Sequence, residues 1–257
     1  MQSRSLLALA ASASGALAAT PPGFEPSSET GLLVSYGGVA ALDGTVVAKE
    51  VTQEPPTIGT QSKLDGTSFA VLMIDLDIPT NNPPETNTLL HWMQTGLTQS
   101  SSATTLNTTL GSSSAFLFSV PQDQEAFGPY FSPSPPARIP LSHTYTEIIV
   151  DTTDASEEDL TVLKTAAESR QGFNAQSVLM SAGLADKVVA GNFFNVTNPG
   201  PVQDATASNS TTGGGNGTNS GSPSSPSQSP ITNVAVSQRE SASLFAVVMA
   251  GIALLAL

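Results

Sequence analysis

Residues 69–94, FAVLMIDLDIPTNNPPETNTLLHWMQ, decide the fold of this chain. The stretch opens with a continuous apolar run that is bounded by turn residues and has the length of a buried strand. Asp75 and Asp77 follow that run, and a loop rich in proline and asparagine leads to a second buried strand, predicted over residues 89–96, which carries His91. Two carboxylates at the end of a strand, with an imidazole returning beside them, predict a small polar pocket.

The segments around this stretch predict a mostly β domain with long connections. Residues 32–36 and 45–51 are short β-prone segments, separated by glycines and an aspartate that favour turns. The Ser/Thr-rich residues 98–114 are expected to form a surface loop, and the Pro-rich residues 126–142 an ordered but irregular loop. A further strand is predicted over residues 145–150.

Two helices are predicted after that strand. Asp154 or Ser156 caps the first helix, because acidic residues fill its first turn and apolar residues recur along one face. The second helix covers residues 175–182, and Gly183 ends it. Residues 188–196 then close the domain as a strand.

The N-terminus has the pattern of a secretory signal peptide, which we place over residues 1–18. Arg4 provides a small charged region, an apolar region follows, and Ala16-Leu17-Ala18 has the small-x-small pattern of a cleavage site. The alternative is a buried N-terminal helix. The chain has no cysteine, so a secreted domain must be held together by its core and not by disulfides.

The C-terminal part predicts a stalk and a lipid anchor. A folded domain over residues 19–201 is followed over residues 202–233 by a stalk rich in Ser, Thr, Gly and Pro, which cannot bury enough apolar surface to fold. Residues 234–257 end in an apolar run that is short for a membrane-spanning helix, and they follow the order of a GPI-attachment signal. Asn233 is the favoured attachment site, and a tail-anchored membrane helix is the alternative. The expected location is the outer face of the plasma membrane or the cell wall.

The net charge of the chain limits the classes of partner that it can bind. Its formal net charge is −13 at pH 7, which argues against binding nucleic acid or an anionic membrane surface through a general positive field. An anionic ligand therefore needs a local site. Four asparagines lie in N-x-Ser/Thr sequons and are candidate glycosylation sites: Asn107, Asn195, Asn209 and Asn216.

The second histidine supplies the other half of the predicted pocket. His143, like His91, follows a proline-rich loop and precedes an apolar strand, and Tyr130 and Tyr145 lie near it in the sequence. A phenol beside imidazoles suits a phosphate or carboxylate oxygen. These residues also have ordinary structural interpretations, since a core histidine needs only one partner and an aspartate commonly accepts backbone N–H bonds in a turn.

A carboxylate beside His91 or His143 is expected to raise the pKa of that imidazole and to orient its donor toward the pocket. Affinity for a phosphate-type ligand is then expected to increase as the pH falls toward about 5.

Three motifs occur in order along residues 55–196: DLDIP followed by LLHW, YFSPSPP followed by HTY, and FNAQSVLMSAGLADKVVAGNFFNV. Together they resemble the phosphatidylethanolamine-binding protein (PEBP) family, also called the Raf-kinase-inhibitor or carboxypeptidase Y inhibitor family. The resemblance implies a mainly β fold with a large antiparallel sheet, a smaller sheet and peripheral helices. It also implies a non-catalytic binding protein with a small anion pocket for phosphate or a phospholipid headgroup, and it permits a protease-inhibitor role.

Transferred onto matching positions, the resemblance implies a pocket formed by Asp75, Pro79, His91, Pro135, His143 and Tyr145. It gives Asp77 the role of a structural brace for the loop. The chain departs from the family pattern at Leu76 and Thr144, where a proline and an arginine are usual.

Three functional classes therefore compete. The leading one is a surface-anchored binding protein for a phospholipid headgroup or similar anion. The second is a protein-interaction role such as protease inhibition, for which the lead-in before Leu32 is the candidate segment. The third is a metal-dependent enzyme that uses Asp75, Asp77, His91 and His143 as ligands or acid–base groups. The sequence contains no HExxH, phosphate-loop or G-x-S-x-G motif, which argues against an enzyme, and no metal or cofactor is expected.

Overall fold

The computed structural model describes residues 19–120 and 122–198, and within them the chain forms ten β-strands and two α-helices. The strands are β1 (Leu33–Tyr36), β2 (Val39–Ala40), β3 (Val46–Val47), β4 (Thr57–Thr60), β5 (Phe69–Pro79), β6 (Thr86–Gln99), β7 (Thr104–Thr108), β8 (Gly111–Ser119), β9 (Ser142–Asp151) and β10 (Val188–Thr197). The helices α1 (Glu157–Glu168) and α2 (Ala175–Ser181) lie between β9 and β10 in the chain. The signal peptide, stalk and anchor that the sequence predicts fall outside the described residues.

Strand β5 is the centre of the main sheet. It pairs antiparallel with β6 on one side and with β9 on the other, and β10 continues the sheet antiparallel beyond β9. Strand β3 adds a short parallel pairing to β10. Strands β2, β1, β4 and β8 form a smaller antiparallel section, β7 pairs with β8, and the β6–β8 pairing joins the two sections. The expected mainly β fold, with a large antiparallel sheet and a smaller one, is confirmed.

Both faces of the main sheet are covered, which explains the continuous apolar run in β5. The odd-numbered side chains from Phe69 to Met73 point into a core shared with the smaller section. The even-numbered side chains from Ala70 to Ile74 point into a second core shared with the helices. Because successive side chains of a strand point to opposite faces, a strand buried on both faces is apolar at every position.

The helices begin and end close to where the sequence predicts. Ser156 caps α1: its Oγ accepts the backbone N–H of Asp159 at 3.2 Å, and the Asp159 carboxylate accepts the backbone N–H of Ser156 at 2.8 Å. Leu163 and Ala167 of α1 are buried against the main sheet. Gly183 follows α2 with a φ of 65°, the left-handed conformation that glycine adopts easily at a helix end.

The expectation of a surface loop over residues 98–114 is wrong. Strand β6 continues to Gln99, and β7 and β8 form a hairpin whose register runs from Thr104 opposite Ala115 to Thr108 opposite Gly111. The side chains of β7 are exposed or half-buried. The Ser/Thr composition therefore reflects a solvent-facing hairpin, since β-branched threonine fits an exposed strand well.

Candidate functional site

Strand order brings the predicted site residues together. Strand β5 lies between β6 and β9, and Asp75 is opposite Leu89 of β6 on one side and opposite Tyr145 of β9 on the other. His143 and Tyr145 are two residues apart on β9, so their side chains share a face of the sheet. A carboxylate, an imidazole and a phenol thus meet at the end of the buried part of β5.

His91 reaches this cluster through a β-bulge. Two consecutive residues of β5 pair with Leu90 and Trp92 of β6, so His91 is the extra residue between them. A bulge re-aims the side chain that it carries. As a result the His91 and Tyr145 rings lie nearly perpendicular to each other, with ring centroids 5.1 Å apart.

The Asp75 carboxylate has contacts on both oxygens. Oδ2 lies 2.7 Å from His143 Nδ1 and 3.8 Å from His91 Nε2, and Oδ1 accepts the backbone N–H of Asp77 at 2.8 Å. The relative exposure is 1% for Asp75, 2% for His91 and 0% for both His143 and Tyr145. The cluster is therefore sealed from solvent in this conformation.

Hydrogen bonds fix the position of the proton on each neutral imidazole. His143 Nδ1 faces a carboxylate, and His91 Nδ1 lies 2.6 Å from the carbonyl oxygen of Phe131. Both partners can only accept, so both Nδ1 atoms carry a proton. Both Nε2 atoms are buried and have no hydrogen-bond partner among the described residues. In the neutral form of an imidazole held in this way, Nε2 carries an unused lone pair, and in the protonated form it is an N–H donor.

Tyr145 packs against both imidazoles. In addition to its edge contact with His91, its ring lies nearly parallel to that of His143 at 6.4 Å and stacks on Phe194 at 5.5 Å. Burial, followed by the charge of Asp75 and a hydrogen bond with it, raises the pKa of Tyr145 well above its ordinary range. The phenol stays protonated, and its one O–H is the donor in the hydrogen bond with Asp75.

The Asp75 charge raises the pKa of His91, as expected of a nearby carboxylate, but the net shift of this pKa is downward. Burial lowers the pKa of His91 and outweighs the opposing effects of the Phe131 carbonyl and the Asp75 charge, while the Arg170 charge lowers it further. Burial removes the water that stabilises the charged imidazolium, and the nearest Asp75 oxygen, 3.8 Å from His91 Nε2, does not make up for that loss. His91 is therefore neutral at neutral pH.

Two residues of the site, Phe131 and Arg170, were not predicted. The Phe131 ring stacks on His91 at 5.1 Å with the ring planes 26° apart, and its backbone N–H donates to the His91 carbonyl at 2.8 Å. Arg170 donates to the carbonyl of Pro129 at 2.7 Å and to those of His91 and Leu90 at 3.3 and 3.4 Å. Arg170 thus ties the loop before β9 to β6. Its partners are backbone carbonyls, which are present at every residue, so no sequence motif marks this role of Arg170.

Asp77 and the two departures from the family pattern lie to one side of the imidazoles. Asp77 Oδ2 accepts the backbone N–H of Thr144 at 2.7 Å and so links β5 to β9. This bond uses only the backbone of Thr144, so it does not depend on the side chain at that position. Leu76 packs against the core under the helices, on the face opposite Asp75.

The two prolines predicted for the pocket lie in the segments around it. Pro79 ends β5 opposite Thr86. Pro135 is buried in the irregular loop, and its carbonyl accepts the Asn198 side chain at 2.8 Å. The direct contacts of the site instead join four of the predicted residues: Asp75, His91, His143 and Tyr145.

Two of the four candidate glycosylation sites lie in the described residues. Asn107 is exposed on β7. Asn195 is half-buried on β10, and its Nδ2, the atom that would carry a glycan, donates to the Gly44 carbonyl at 2.8 Å. The others, and the predicted anchor residue, lie outside the described residues: Asn209, Asn216 and Asn233.

Strand β9 carries a further buried carboxyl beyond this cluster. Glu147 is 0% exposed, is directly opposite Asn192 of β10, and lies on the same face of β9 as His143. The Tyr36 hydroxyl is 3.4 Å from Glu147 Oε1, whereas Glu147 Oε2 and Asn192 Oδ1 are buried without a partner among the described residues. Burial raises the pKa of Glu147 to about 8, so its carboxyl is neutral at neutral pH.

Within residues 19–120 and 122–198, no group of three or more His, Cys, Asp or Glu is placed to hold a metal ion. In the same residues, no helix is both long and apolar enough to cross a bilayer.

Comparison with known proteins identifies the family. Residues 30–194, more than half of the chain, match the family described as phosphatidylethanolamine-binding protein. The chain therefore belongs to the PEBP family. The family and the fold together support a binding-protein role.

Individual relatives are distant. Phomoidride biosynthesis cluster protein N from Talaromyces stipitatus is 28% identical over 190 residues, which cover 68% of this chain and 88% of that protein. A carboxypeptidase Y inhibitor, solved in complex with its cognate proteinase, is 16% identical with a TM-score of 0.46 and covers 66% of this chain and 84% of its own. A phosphatidylethanolamine-binding protein from Plasmodium vivax is 17% identical with a TM-score of 0.43 and covers 65% of this chain and 84% of its own.

Proposed function

We propose that this PEBP-family chain is a non-catalytic binding protein that holds a small phosphate-type anion, such as a phospholipid headgroup presents, at His91 and His143. The observation that carries the proposal is the pair of buried Nε2 atoms without a partner. A buried polar atom that lacks a partner costs about 1–3 kcal/mol. An oxyanion between protonated imidazoles satisfies both atoms at once.

Protonation switches the site from two acceptors to two donors. With the first proton held on Nδ1, each Nε2 can only accept until a second proton binds, after which it donates. The Asp75 carboxylate, 2.7 Å from His143 Nδ1, balances the charge of a protonated His143. The site therefore holds an anion without a lysine or arginine side chain, and its affinity increases as the pH falls.

Calorimetric titration tests this mechanism. Inorganic phosphate and phosphoethanolamine are titrated into the protein at neutral pH and at about pH 5, and binding is expected to tighten by up to about tenfold per pH unit for each coupled proton. Sulfate, whose charge is constant over this range, separates titration of the site from titration of phosphate. Equal or weaker sulfate binding at the lower pH contradicts the mechanism.

Two comparisons complete that experiment. The His91→Gln variant keeps a polar side chain that does not titrate, so its pH dependence should shrink. Tighter binding of phosphoethanolamine than of inorganic phosphate favours a headgroup ligand, whereas equal binding favours free phosphate.

The protease-inhibitor alternative gains no support from its candidate segment. The lead-in before Leu32 is held at its end against β10, where Leu32 N–H donates to the Gly191 carbonyl at 2.7 Å and Gly191 N–H donates to the Thr30 carbonyl at 2.9 Å, and its Phe24 packs against the core under the helices. A segment held in this way is not an extended arm available to a proteinase. Anion binding is therefore the function that we propose.

We also propose that the domain is displayed outside the cell on a lipid anchor. The support is the order of signal, stalk and terminal apolar run in the sequence. Treatment of intact cells with a phosphatidylinositol-specific phospholipase should release the protein, and its retention on the cells contradicts the anchor.

A further inference from the structure

We infer that the Phe131 side chain is the gate of the imidazole site and that a ligand enters when this ring rotates away while the loop backbone stays in place. The inference rests on the proposed function, because it concerns access to the same two histidines. It assigns a role in ligand entry to a residue that sequence reasoning did not select.

Phe131 occupies the solvent side of His91. Among the described residues, Asp75, Tyr145 and Phe131 lie against the His91 ring, and Asp75 and Tyr145 are at most 1% exposed. The third, Phe131, stacks on the imidazole and is 53% exposed. A ligand that approaches His91 from solvent therefore meets the Phe131 ring first.

The backbone around Phe131 is held firmly. Its N–H and its carbonyl both bond to His91, at 2.8 and 2.6 Å. The neighbouring residues are fixed as well, since Arg170 holds the Pro129 carbonyl at 2.7 Å and the Tyr130 hydroxyl donates to the Thr52 carbonyl at 2.8 Å. Lifting the loop would break all four bonds at once.

Rotation of the ring is the easier route. A stacked aromatic contact contributes about 0.5–1.5 kcal/mol beyond burial, and the ring is already half in water. Exposed side chains change rotamer on the picosecond to nanosecond scale, whereas loop rearrangement is slower. The side chain can therefore open without disturbing the hydrogen bond that places the proton on His91 Nδ1.

Gate opening and protonation are coupled through solvent. The closed ring contributes to the burial that lowers the pKa of His91. An open ring admits water to the imidazole and favours its charged form. The open site is therefore the form that accepts both the proton and the anion.

Chemical modification of the two histidines tests the gate without any ligand. Diethyl pyrocarbonate acylates unprotonated imidazole nitrogen, and His91 and His143 are the only histidines in the chain, so peptide mapping by mass spectrometry follows each one separately. In the full chain at neutral pH, Phe131→Ala is expected to raise the modification rate of His91 by about tenfold, because local opening no longer limits it. Phe131→Trp, which keeps an aromatic cover, is expected to leave the rate at or below that of the native chain.

The matched control is Ile139→Ala, which removes an exposed apolar side chain (74% exposed) from the same loop. The inference is overturned if Phe131→Ala leaves the His91 rate unchanged, or if Ile139→Ala raises it equally, since the second result indicates general loosening of the loop. Phosphate and sulfate titrations of the same variants keep the two proposals apart. Faster His91 modification without anion binding supports the gate and refutes the ligand, and anion binding with unchanged modification does the reverse.

Discussion

Strand β9 carries two buried polar clusters on one face, and their carboxyl groups meet different partners. Near the start of the strand, the Asp75 carboxylate lies 2.7 Å from His143 Nδ1. Four residues along, the Tyr36 hydroxyl lies 3.4 Å from Glu147 Oε1, and Asn192 of β10 is directly opposite Glu147. Burial raises the pKa of Glu147 to about 8, and the hydrogen bonds of Asn192 and Tyr36 offset this rise only in part.

This difference gives the two clusters different tasks. The Asp75 cluster leaves the Nε2 atoms of two imidazoles unused, so it can interact with a ligand. The neutral Glu147 can donate its own proton to Asn192 Oδ1, which pairs two atoms that otherwise have no partner. Asn192 also donates to the Ala41 carbonyl at 2.8 Å, and Tyr36 lies on β1, so this second cluster links the main sheet to the smaller section. We therefore assign the proposed binding role to the Asp75 cluster and a structural role to the Glu147 cluster.

Removal of the Asp75 carboxylate is expected to have the largest effect on the stability of the protein. Asp75→Ala leaves His143 Nδ1–H buried without an acceptor and is expected to lower the free energy of unfolding by about 3 kcal/mol. Urea denaturation near neutral pH measures this change. Asp77→Ala serves as the control, because Asp77 is only partly buried and its loss should cost about 1 kcal/mol. If Asp75→Ala costs no more than this control, the Asp75–His143 pair has no special weight and the two clusters do not differ as described.

The Glu147→Gln variant tests whether the carboxyl of the second cluster is neutral in the folded protein. The folded pKa of Glu147, about 8, lies above its ordinary value of 4.5, so its contribution to stability is fully present at acidic pH and is lost as the pH rises toward 8. The native chain should lose up to about 1.4 kcal/mol of unfolding free energy per pH unit in this window. A glutamine amide can donate to Asn192 Oδ1 at every pH, so the variant should lose much less between pH 6 and pH 8.

Urea denaturation across that range measures the effect. Glu125→Gln, at an exposed position, is the matched control and should keep the native slope. A Glu147→Gln profile parallel to that of the native chain would show that Glu147 is ionised in the folded protein and that the contrast with Asp75 is wrong.

Sequence patterns predicted the fold well where burial leaves a clear periodicity. Strand β5 is apolar on both faces, and the Ser156 cap has its acidic first turn, so both were recognised. The β7–β8 hairpin was missed because exposed strands of Ser and Thr look like a loop when no face is buried. Whether such a segment forms a strand or a loop depends on its register and solvent exposure, which composition alone does not show.

The site was partly predictable for a related reason. Asp75, His91 and His143 are rare residue types beside buried strands, which makes them visible in one sequence. The direction of the His91 pKa shift was not predictable, since it depends on how completely Phe131 and Tyr145 exclude water from the ring. Glu147 was missed because a single acidic residue within a strand gives no sign of whether it faces solvent or a core.

The smallest expected effect is the acid-side titration of His91, and the Glu147→Gln background isolates it. Burial lowers the folded pKa of His91 below its ordinary value of 6.5, so the unfolded chain binds more protons below about that pH. Stability should therefore fall as the pH drops from 6.5 toward 5, by at most about 1.4 kcal/mol per pH unit.

Adding His91→Asn to the Glu147→Gln background should flatten this slope, because asparagine does not titrate. Sulfate should also flatten it in the chain that retains His91, since an anion that binds the protonated imidazole stabilises the folded protein where protonation otherwise destabilises it. If the slope is the same with asparagine at position 91, another group controls the loss of stability at acidic pH. The unused Nε2 atom of His91 is then not the feature that distinguishes the Asp75 cluster from the Glu147 cluster.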